Sequence, residues 1–324
     1  MNITDKNIKM WSIIGSRATF GLAALELAKE INNLMVLTCD VSTSAGLDRF
    51  RKTYPDKYLD LGIAEQNMIG VAAGLASENF NVITTTFAPF QSMRCCEQIK
   101  VNLGYMKQKV CMVGIASGLA LGTLGYTHCC IEDVGVLRTI PGMTIISPAD
   151  SLETVKAVEA AVKSEKPSYI RLTGSSNNPI VYNKDYKFKI GESITLRDGK
   201  DIVIFCTGAM VSVGIKVSEE LDKKKISCKV INMHTIKPID KIAIKNSLNA
   251  KLLVAIEEHN IIGGLGSAIS EVLSDLGLKA KLLRLGIKDT YSKGGTYKHL
   301  LEKSRLTQKD ILEDVLKEYT LFQQ

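Results

Sequence analysis

The sequence predicts an α/β protein made of two domains, each built on a doubly wound, mostly parallel sheet. Short apolar runs of strand length alternate with segments whose apolar residues recur at helical spacing, and this series occurs twice along the 324 residues. Such alternation is typical of parallel strands joined by helices. Because a polar, turn-rich stretch separates the two series, we expect a first domain at 1–180, a linker at 181–200 and a second domain at 201–324.

In the first domain, apolar runs predict strands and segments with helical periodicity predict the helices between them. The strands are expected at 34–40, 58–62, 80–87, 109–117, 142–148 and 167–172. The helices are expected at 16–31, 64–79, 89–105, 131–140 and 150–165.

The second domain repeats this alternation without a fixed-period sequence repeat. Its strands are expected at 201–208, 227–235, 251–259 and 279–286. Its helices are expected at 210–225, 240–249, 263–277 and 307–322.

The composition argues against a nucleic-acid or membrane partner. The formal charge is +7, but the basic residues are dispersed, and aromatic residues make up only 6% of the chain without interleaving with them. No segment approaches the roughly 20 apolar residues of a membrane span. The first residues lack the pattern of a secretory signal, so we expect a cytoplasmic protein.

The eight cysteines are expected to be reduced. They include the adjacent pairs Cys95–Cys96 and Cys129–Cys130, but they form neither a C-x-x-C motif nor a Cys/His spacing typical of a zinc site. In a cytoplasmic protein such cysteines behave as small apolar residues. We therefore expect no metal site built by this chain alone.

Segment 59–67 places Glu65 in the first turn of an apolar, glycine-containing helix, directly after a strand that ends in glycine. One interpretation is structural, because a carboxylate at a helix N-terminus complements the dipole by about 0.3–1 kcal/mol. The other is catalytic, because parallel sheets bind ligands at the carboxyl ends of their strands and an apolar surrounding suits a proton-transferring acid. The motif alone leaves both interpretations open.

Two further segments carry candidate ligand groups. Phe87 and Phe90 flank a proline where a strand ends, and they either belong to the core or stack on a flat heterocycle. His128 closes the glycine-rich loop 118–128, in which glycines allow the backbone to approach a ligand closely. It is either structural or a group that contacts substrate and transfers protons.

Taken together and in this order, these segments resemble the transketolase family. The resemblance covers essentially the whole chain, through LGIAEQNMIGVAAGLA, TTFAPF, THCCIEDVGVLRTIPGMTIISPAD, PSYIRL and IEEHNIIGGLGSAISEVL. The glutamate motif and the TH-x-x-x-ED-x-x-x-LR-x-x-P block are fairly specific as a pair. The resemblance implies the pyrimidine-binding and C-terminal domains of a transketolase, with thiamine diphosphate as cofactor.

The resemblance also implies roles for individual residues. Glu65 matches the glutamate that hydrogen-bonds N1′ of the aminopyrimidine, an acid/base role that requires a desolvated carboxyl group. Phe87 and Phe90 match the aromatic pair that packs against that ring. Asp40 resembles a cofactor-binding position near the thiazolium, and Ser44 a position near the donor substrate.

Acceptor recognition is expected to be altered. His128 matches the substrate-contacting histidine, but Leu124 replaces an acidic residue that recognises acceptor hydroxyls in many transketolases. Ala116 and Gly174 stand where the family often has a histidine and an arginine for the sugar phosphate. Three arginines would compensate for these missing phosphate contacts, namely Arg94, Arg138 and Arg171. Of these, Arg94 is our candidate for substrate binding.

The chain lacks the G-D-G motif through which transketolases hold Mg²⁺ and the cofactor diphosphate. A divalent cation is needed to offset the diphosphate charge. We therefore expect a partner, an N-terminal transketolase subunit, to supply the diphosphate- and Mg²⁺-binding domain. The active site would then lie between the two chains, and pairs of chains would dimerise to a heterotetramer.

The resulting hypothesis is the C-terminal subunit of a transketolase that moves a two-carbon ketol unit from a ketose to an aldose, with sugars or sugar phosphates as substrates. Two alternatives share the fold and the need for a partner: the beta subunit of a 2-oxo-acid dehydrogenase, and an acyl transferase like 1-deoxyxylulose-phosphate synthase. An alternative of a different class is a catalytically silent regulatory or scaffold subunit.

Overall fold

A computed structural model of the chain describes residues 1–174 and 176–321. Six strands form the first series: β1 (Leu34–Thr38), β2 (Tyr58–Asp60), β3 (Asn81–Phe87), β4 (Val110–Ile115), β5 (Thr144–Ile146) and β6 (Ser168–Arg171). Six more follow: β7 (Ile194–Arg197), β8 (Ile202–Cys206), β9 (Cys228–Asn232), β10 (Thr235–Lys237), β11 (Leu252–Asn260) and β12 (Leu282–Ile287).

Helices connect and cover these strands. The first half contains α1 (Asp5–Glu30), α2 (Asp48–Thr53), α3 (Glu65–Ser77), α4 (Ala88–Gln91), α5 (Cys96–Gln98), α6 (Asp133–Arg138) and α7 (Ser151–Val162). The second half contains α8 (Met210–Lys223), α9 (Lys241–Lys245), α10 (Leu265–Asp275), α11 (Tyr297–Lys303) and α12 (Gln308–Leu321). Short 3₁₀ helices span Pro55–Lys57 and Gly122–Leu124, and a π-helix spans Ile99–Tyr105.

The strands form two sheets, as predicted, and both are mostly parallel. The first has the order β10-β5-β6-β4-β3-β1-β2 and the second the order β12-β11-β8-β9-β7. Helices α1 and α7 pack on one face of the first sheet, and α3 packs on the other, so both faces are apolar and buried. The α/β fold class is therefore confirmed.

The second half of the chain contributes to the first sheet, which the sequence pattern did not indicate. Strand β10 pairs antiparallel with β5, where Thr235 lies opposite Ile146. The Lys237 ammonium group then donates to the backbone carbonyls of Arg138 and Ile140. In the second sheet, β7 forms an antiparallel edge beside β9, within the stretch predicted as a linker. Two antiparallel edge strands thus flank otherwise parallel sheets.

Several helices differ from their predicted bounds. Helix α1 begins at Asp5, eleven residues before the predicted start at 16, because Thr4 caps it by accepting a hydrogen bond from the Asn7 N–H. Gly15, at φ 81°, interrupts its helical geometry. The predicted helix 89–105 is broken after Gln91, where the Ser92 hydroxyl donates to the Ala88 carbonyl (2.6 Å). The predicted last helix ends at 322, and that residue lies outside the described part of the chain.

In the described residues, no helix is both long enough and apolar enough to span a bilayer. All eight cysteines are free, and all but Cys96 are buried.

Candidate functional site

The candidate site lies along the carboxyl edge of the first sheet. Strands β2, β1, β3 and β4 are neighbours and run parallel, so the segments that follow them meet at one edge. Glu65 follows β2, Phe87 ends β3, and the glycine-rich loop with His128 follows β4. Such an edge is where doubly wound sheets bind ligands.

Glu65 is held at the start of α3 by a short, well-bonded turn. Asp60 Oδ1 accepts hydrogen bonds from the backbone N–H groups of Asp40 (2.9 Å) and Gly62 (3.0 Å), which joins the ends of β1 and β2. Gly62 has φ 66°, a conformation that favours glycine. The chain then enters α3, and the Glu65 side chain is only 4% exposed. A carboxyl group is thus held in a largely desolvated position.

Three aromatic rings lie together at this edge. The Phe87 and Phe90 ring centroids are 6.3 Å apart at an interplanar angle of 81°. The His128 ring packs against both, with its centroid 6.1 Å from that of Phe87 and 5.3 Å from that of Phe90. The His128 Nδ1 atom is 3.0 Å from the Thr127 hydroxyl. The structure therefore brings His128, from a distant loop, onto the aromatic pair.

Arg94 connects the carboxyl group to the aromatic rings. Its Nη1 atom donates to both Glu65 carboxylate oxygens, and its guanidinium carbon lies 3.9 Å from the Phe90 ring centroid. The Arg94 side chain is 41% exposed. The break after α4 turns this side chain back towards α3, where the Gln66 amide donates to the Arg94 carbonyl (3.1 Å). Arg94 thus hydrogen-bonds the buried Glu65 carboxylate and covers one face of the Phe90 ring.

Asp40 and Ser44 follow β1 at the same edge of the sheet. Both are exposed in the loop after β1, and Asp40 has φ 55°. Within residues 1–174 and 176–321, no hydrogen bond or ion pair joins either side chain to Glu65 or to the aromatic rings. The structure thus joins Glu65, Phe87, Phe90, His128 and Arg94 through an ion pair and ring contacts, whereas Asp40 and Ser44 take no part in these contacts among the described residues.

Two thiols beside the site are uncharged. Burial raises the pKa of Cys39 to about 11 and that of Cys95 to about 12, and the nearby Glu65 charge adds to both shifts. The Cys95 thiol donates to the Phe90 carbonyl (3.1 Å), and the Cys39 thiol contacts the Met68 sulfur. Since nucleophilic attack requires the thiolate, these raised pKa values favour a packing role for both cysteines.

The other two arginines considered for substrate binding form hydrogen bonds and ion pairs with other residues of the chain. Arg171 is fully buried and its Nε donates to both Asp133 oxygens (3.0 and 2.9 Å). Arg138 donates to the Gly263 carbonyl and pairs with Glu271, both in the second half of the chain. Of the three, only Arg94 is at the carboxyl edge beside Glu65.

The glycine turn 263–266 is closed to an external anion. The Glu257 carboxylate accepts hydrogen bonds from the Leu265 (2.6 Å) and Gly266 (2.8 Å) N–H groups, so the start of α10 is already occupied. Burial raises the pKa of Glu257 to about 7, against the effect of these two donors. The turn is a structural feature of the contact between the two halves.

No group of three or more His, Cys, Asp or Glu side chains suited to a metal ion occurs in the described residues. Sequence reasoning also missed several residues around the site. Asp60 ties two strand ends together, and the Tyr297 hydroxyl donates to Glu258, which in turn accepts from the Leu119 N–H of the His128 loop. A single polar residue after an apolar strand or at the start of a helix is too common to identify such a partner from the sequence.

Comparisons with known proteins identify the two domains of the chain. The family model "Transketolase, pyrimidine binding domain" matches residues 13–178, and "Transketolase, C-terminal domain" matches residues 191–311. A putative transketolase C-terminal section of Methanocaldococcus jannaschii is 36% identical over 305 residues, which cover 94% of this chain and 96% of that protein.

Two further relatives are similar in length to this chain. An apulose-4-phosphate transketolase subunit of Phocaeicola vulgatus is 36% identical over 280 residues, 86% of this chain and 89% of that protein. A solved structure described as a split gene transketolase, an inactive beta4 tetramer, has a TM-score of 0.88 at 35% identity, covering 95% of this chain and 99% of that one. The chain therefore belongs to the transketolase family, of which it contains the pyrimidine-binding and C-terminal domains.

Proposed function

We propose that this chain is the C-terminal subunit of a thiamine-diphosphate-dependent transketolase, which transfers a two-carbon ketol unit from a ketose to an aldose. The observation that carries the proposal is the buried Glu65 carboxylate, which Arg94 links to the face of Phe90 in a pyrimidine-binding domain of the transketolase family. A desolvated carboxyl group next to an aromatic face is suited to hold a flat, nitrogen-containing ring and exchange a proton with it.

The residues fit the aminopyrimidine end of the cofactor. The planar Arg94 guanidinium already stacks on Phe90 and hydrogen-bonds Glu65, which shows that one flat N–H-bearing group reaches both. An aminopyrimidine has the same two features. We infer that the ring takes the place of the guanidinium, so that Arg94 moves away when the cofactor binds.

The residues do not fit the diphosphate end. The described part of the chain offers no set of side chains for a divalent cation. A partner chain must therefore hold Mg²⁺ and the diphosphate, with the active site between the subunits. A related chain is described as an inactive beta4 tetramer, which supports the proposal that the subunit alone is inactive.

When bound, thiamine diphosphate would supply the nucleophilic carbon that cleaves the ketose. The chain's own residues would bind and orient the reactants. Glu65 would hold a proton at N1′ of the ring, Phe87 and Phe90 would pack the ring, and the buried Met68 and Ile69 of α3 would help to exclude water. His128, placed against both rings, would contact the substrate at the side of the glycine-rich loop.

We further propose an acceptor other than a common pentose phosphate. Leu124 is 55% exposed on the glycine-rich loop, Ala116 is buried, and Arg138 and Arg171 are bound elsewhere. Phosphate is bound best by charged donors, and Arg94 is the only one of the three arginines beside Glu65. A relative of this chain is named as a transketolase subunit for apulose-4-phosphate, which supports an unusual sugar as substrate.

The test is reconstitution with the partner that copurifies from the native cell. We expect the complex, with thiamine diphosphate and Mg²⁺, to release CO₂ from hydroxypyruvate and transfer the remaining two-carbon ketol unit to an aldose, and we expect the chain alone to be inactive. Decarboxylation of pyruvate instead would favour the two acyl-transferring alternatives. An assembled complex without either activity, in which Glu65→Gln also leaves cofactor affinity unchanged, would favour the silent-scaffold alternative.

A further inference from the structure

The loop that carries His128 is closed at its base by a pair of backbone hydrogen bonds. The Gly118 N–H donates to the Cys130 carbonyl (2.8 Å), and the Cys130 N–H donates to the Gly118 carbonyl (2.9 Å). Loop 118–130 therefore leaves and rejoins the first domain at one point. Between these ends the loop has internal hydrogen bonds, such as that from the His128 N–H to the Gly125 carbonyl (3.0 Å), and it also packs against the second half of the chain.

The principal contact at the base of the loop comes from the second half of the chain. Glu258, on β11, is 1% exposed, and its Oε1 accepts a hydrogen bond from the Leu119 N–H (2.7 Å). Its Oε2 accepts from the Tyr297 hydroxyl, at the start of α11 (2.6 Å). Gly118 allows this approach, since a Cβ there would overlap the Glu258 carboxylate and its φ of 68° disfavours other residues.

Arg171 holds the backbone of both the loop end at Cys130 and strand β11 at Glu258. Its Nη2 donates to the Glu258 carbonyl (2.9 Å) and to the Cys130 carbonyl (3.1 Å), while its Nε bonds Asp133. These residues are buried, and the buried Leu119 N–H would lose its acceptor if the Glu258 carboxylate moved away. An unsatisfied buried polar group is costly, which makes this arrangement of loop and strand strongly preferred.

The outer part of the loop is also held by the second half of the chain. The Gly295 N–H donates to the Gly122 carbonyl (2.9 Å), and Gly122 packs against Leu300 of α11. Tyr126 hydrogen-bonds Ser292 (3.1 Å) and packs edge-on against the Tyr291 ring. Three successive points of the loop thus face the second half, whereas His128 faces the aromatic pair.

We infer that Glu258 is a positioning residue, through which the second domain holds loop 118–130 so that His128 packs against Phe87 and Phe90. The inference that this position of His128 serves catalysis rests on the proposed function. The effect of Glu258 on the position of His128 does not depend on it. The C-terminal domain accordingly takes part in shaping the site, although the hydrogen-bond and ring partners of Glu65 and the aromatic pair, within the described residues, belong to the first domain.

Histidine NMR of the full chain tests this inference without cofactor or partner. The chain has four histidines, so labelling at ¹³Cε1 gives four signals, and His128→Asn identifies the one from His128. The spectra are recorded about two pH units above the ordinary histidine pKa, so that protonation does not contribute. Phe90→Leu then shows how far the Phe90 ring shifts the His128 signal.

We expect Glu258→Ala to move the His128 signal most of the way towards its position in Phe90→Leu. Glu258→Gln should restore the wild-type position, because its amide oxygen can still accept from Leu119 and its nitrogen can donate to Tyr297. The matched control is Glu271→Ala, which removes the ion pair with Arg138 across the same two halves but does not touch the loop. It should leave the signal unchanged.

An unchanged His128 signal in Glu258→Ala would overturn the inference. If that variant fails to fold, as loss of dispersion in all four signals would show, Glu258→Asp decides, because it keeps the carboxylate but its shorter side chain withdraws it from the Leu119 N–H. A shift of His128 alone supports the inference, and no shift overturns it. Failure of the proposed function would appear in the reconstitution assay and would leave these signals as they are.

Discussion

The Arg94 Nη1 atom lies 2.9 Å from both carboxylate oxygens of Glu65, while the Arg94 guanidinium covers the Phe90 ring. In the proposed function these are the two groups that hold the aminopyrimidine. Cofactor and arginine therefore compete for the same carboxylate and the same ring face. Binding of the cofactor must then include the cost of breaking this ion pair.

Removal of the guanidinium should strengthen cofactor binding. We expect Arg94→Met, which retains an apolar stem, to lower the Kd of the assembled enzyme for thiamine diphosphate by about three- to tenfold. This is the size expected when a partly exposed ion pair of about 1 kcal/mol no longer competes. Isothermal titration calorimetry of the complex measures the change.

The control for this experiment is Arg51→Met, which removes an exposed ion pair with Asp48 away from Glu65. It should leave the Kd unchanged. A tenfold weaker Kd in Arg94→Met would mean that Arg94 contributes to binding of the cofactor and does not compete with it.

Glu65→Gln should separate proton transfer from folding. Glutamine has nearly the same shape and can still hydrogen-bond Arg94 and the ring, but it cannot exchange a proton. We expect normal assembly and at least about a hundredfold lower turnover, the size typical of an essential acid/base group. Steady-state kinetics and sedimentation of the complex measure the two effects, and unchanged turnover would show that Glu65 is structural.

The parts of the site that the sequence predicts are those that depend on local pattern. Glu65 and Phe87 each follow from a strand that ends in a recognisable way, and parallel strands bring their ends to one edge. The position of Arg94 was not predictable, because it depends on a break after Gln91 within an apolar pattern that also fits one continuous helix. Apolar spacing alone does not separate these two cases.

Contacts between the two halves of the chain were less predictable still. Strand β10 is only three residues long, and nothing in its sequence indicates pairing with β5. Glu258 lies in an apolar strand, where its partners Leu119 and Tyr297 are distant in sequence. Such long-range pairs are fixed by how the domains pack, which periodicity does not describe.

The buried pair of Arg171 and Asp133 should be essential for stability. Asp133 is fully buried and also accepts a hydrogen bond from the Tyr169 hydroxyl (2.7 Å). Because Arg171→Met leaves that carboxylate buried without its counter-ion, we expect a loss of about 3–5 kcal/mol in the free energy of unfolding. Urea denaturation measures this loss.

The stability of Arg171→Met should be compared with that of the double variant Asp133→Asn/Arg171→Met. It removes the uncompensated charge together with its partner, so it should be more stable than Arg171→Met alone. Equal stability of the single and double variants would show that the lost hydrogen bonds, and not the buried charge, cause the effect.

His234 should make the protein less stable as the pH falls from about 6.5 to about 4. Burial lowers the pKa of His234 to about 4, although Asp240 opposes the shift. Between that value and the ordinary pKa of about 6.5, the unfolded chain binds a proton that the folded chain does not, so acidification favours unfolding. A shift of this size corresponds to at most about 3 kcal/mol.

The His234→Phe variant isolates this contribution. It retains a ring against Phe188, whose centroid is 4.2 Å from that of His234, and it cannot titrate. Other buried groups oppose the trend, since burial raises the pKa of Asp150 to about 6 and that of Glu257 to about 7. Both remain in the variant, so their effects cancel in the difference between the two proteins. Denaturant unfolding at several pH values should show wild type losing stability relative to His234→Phe below pH 6.5. A constant difference would mean that the pKa of His234 is the same in the folded and unfolded chains, so that burial does not lower it.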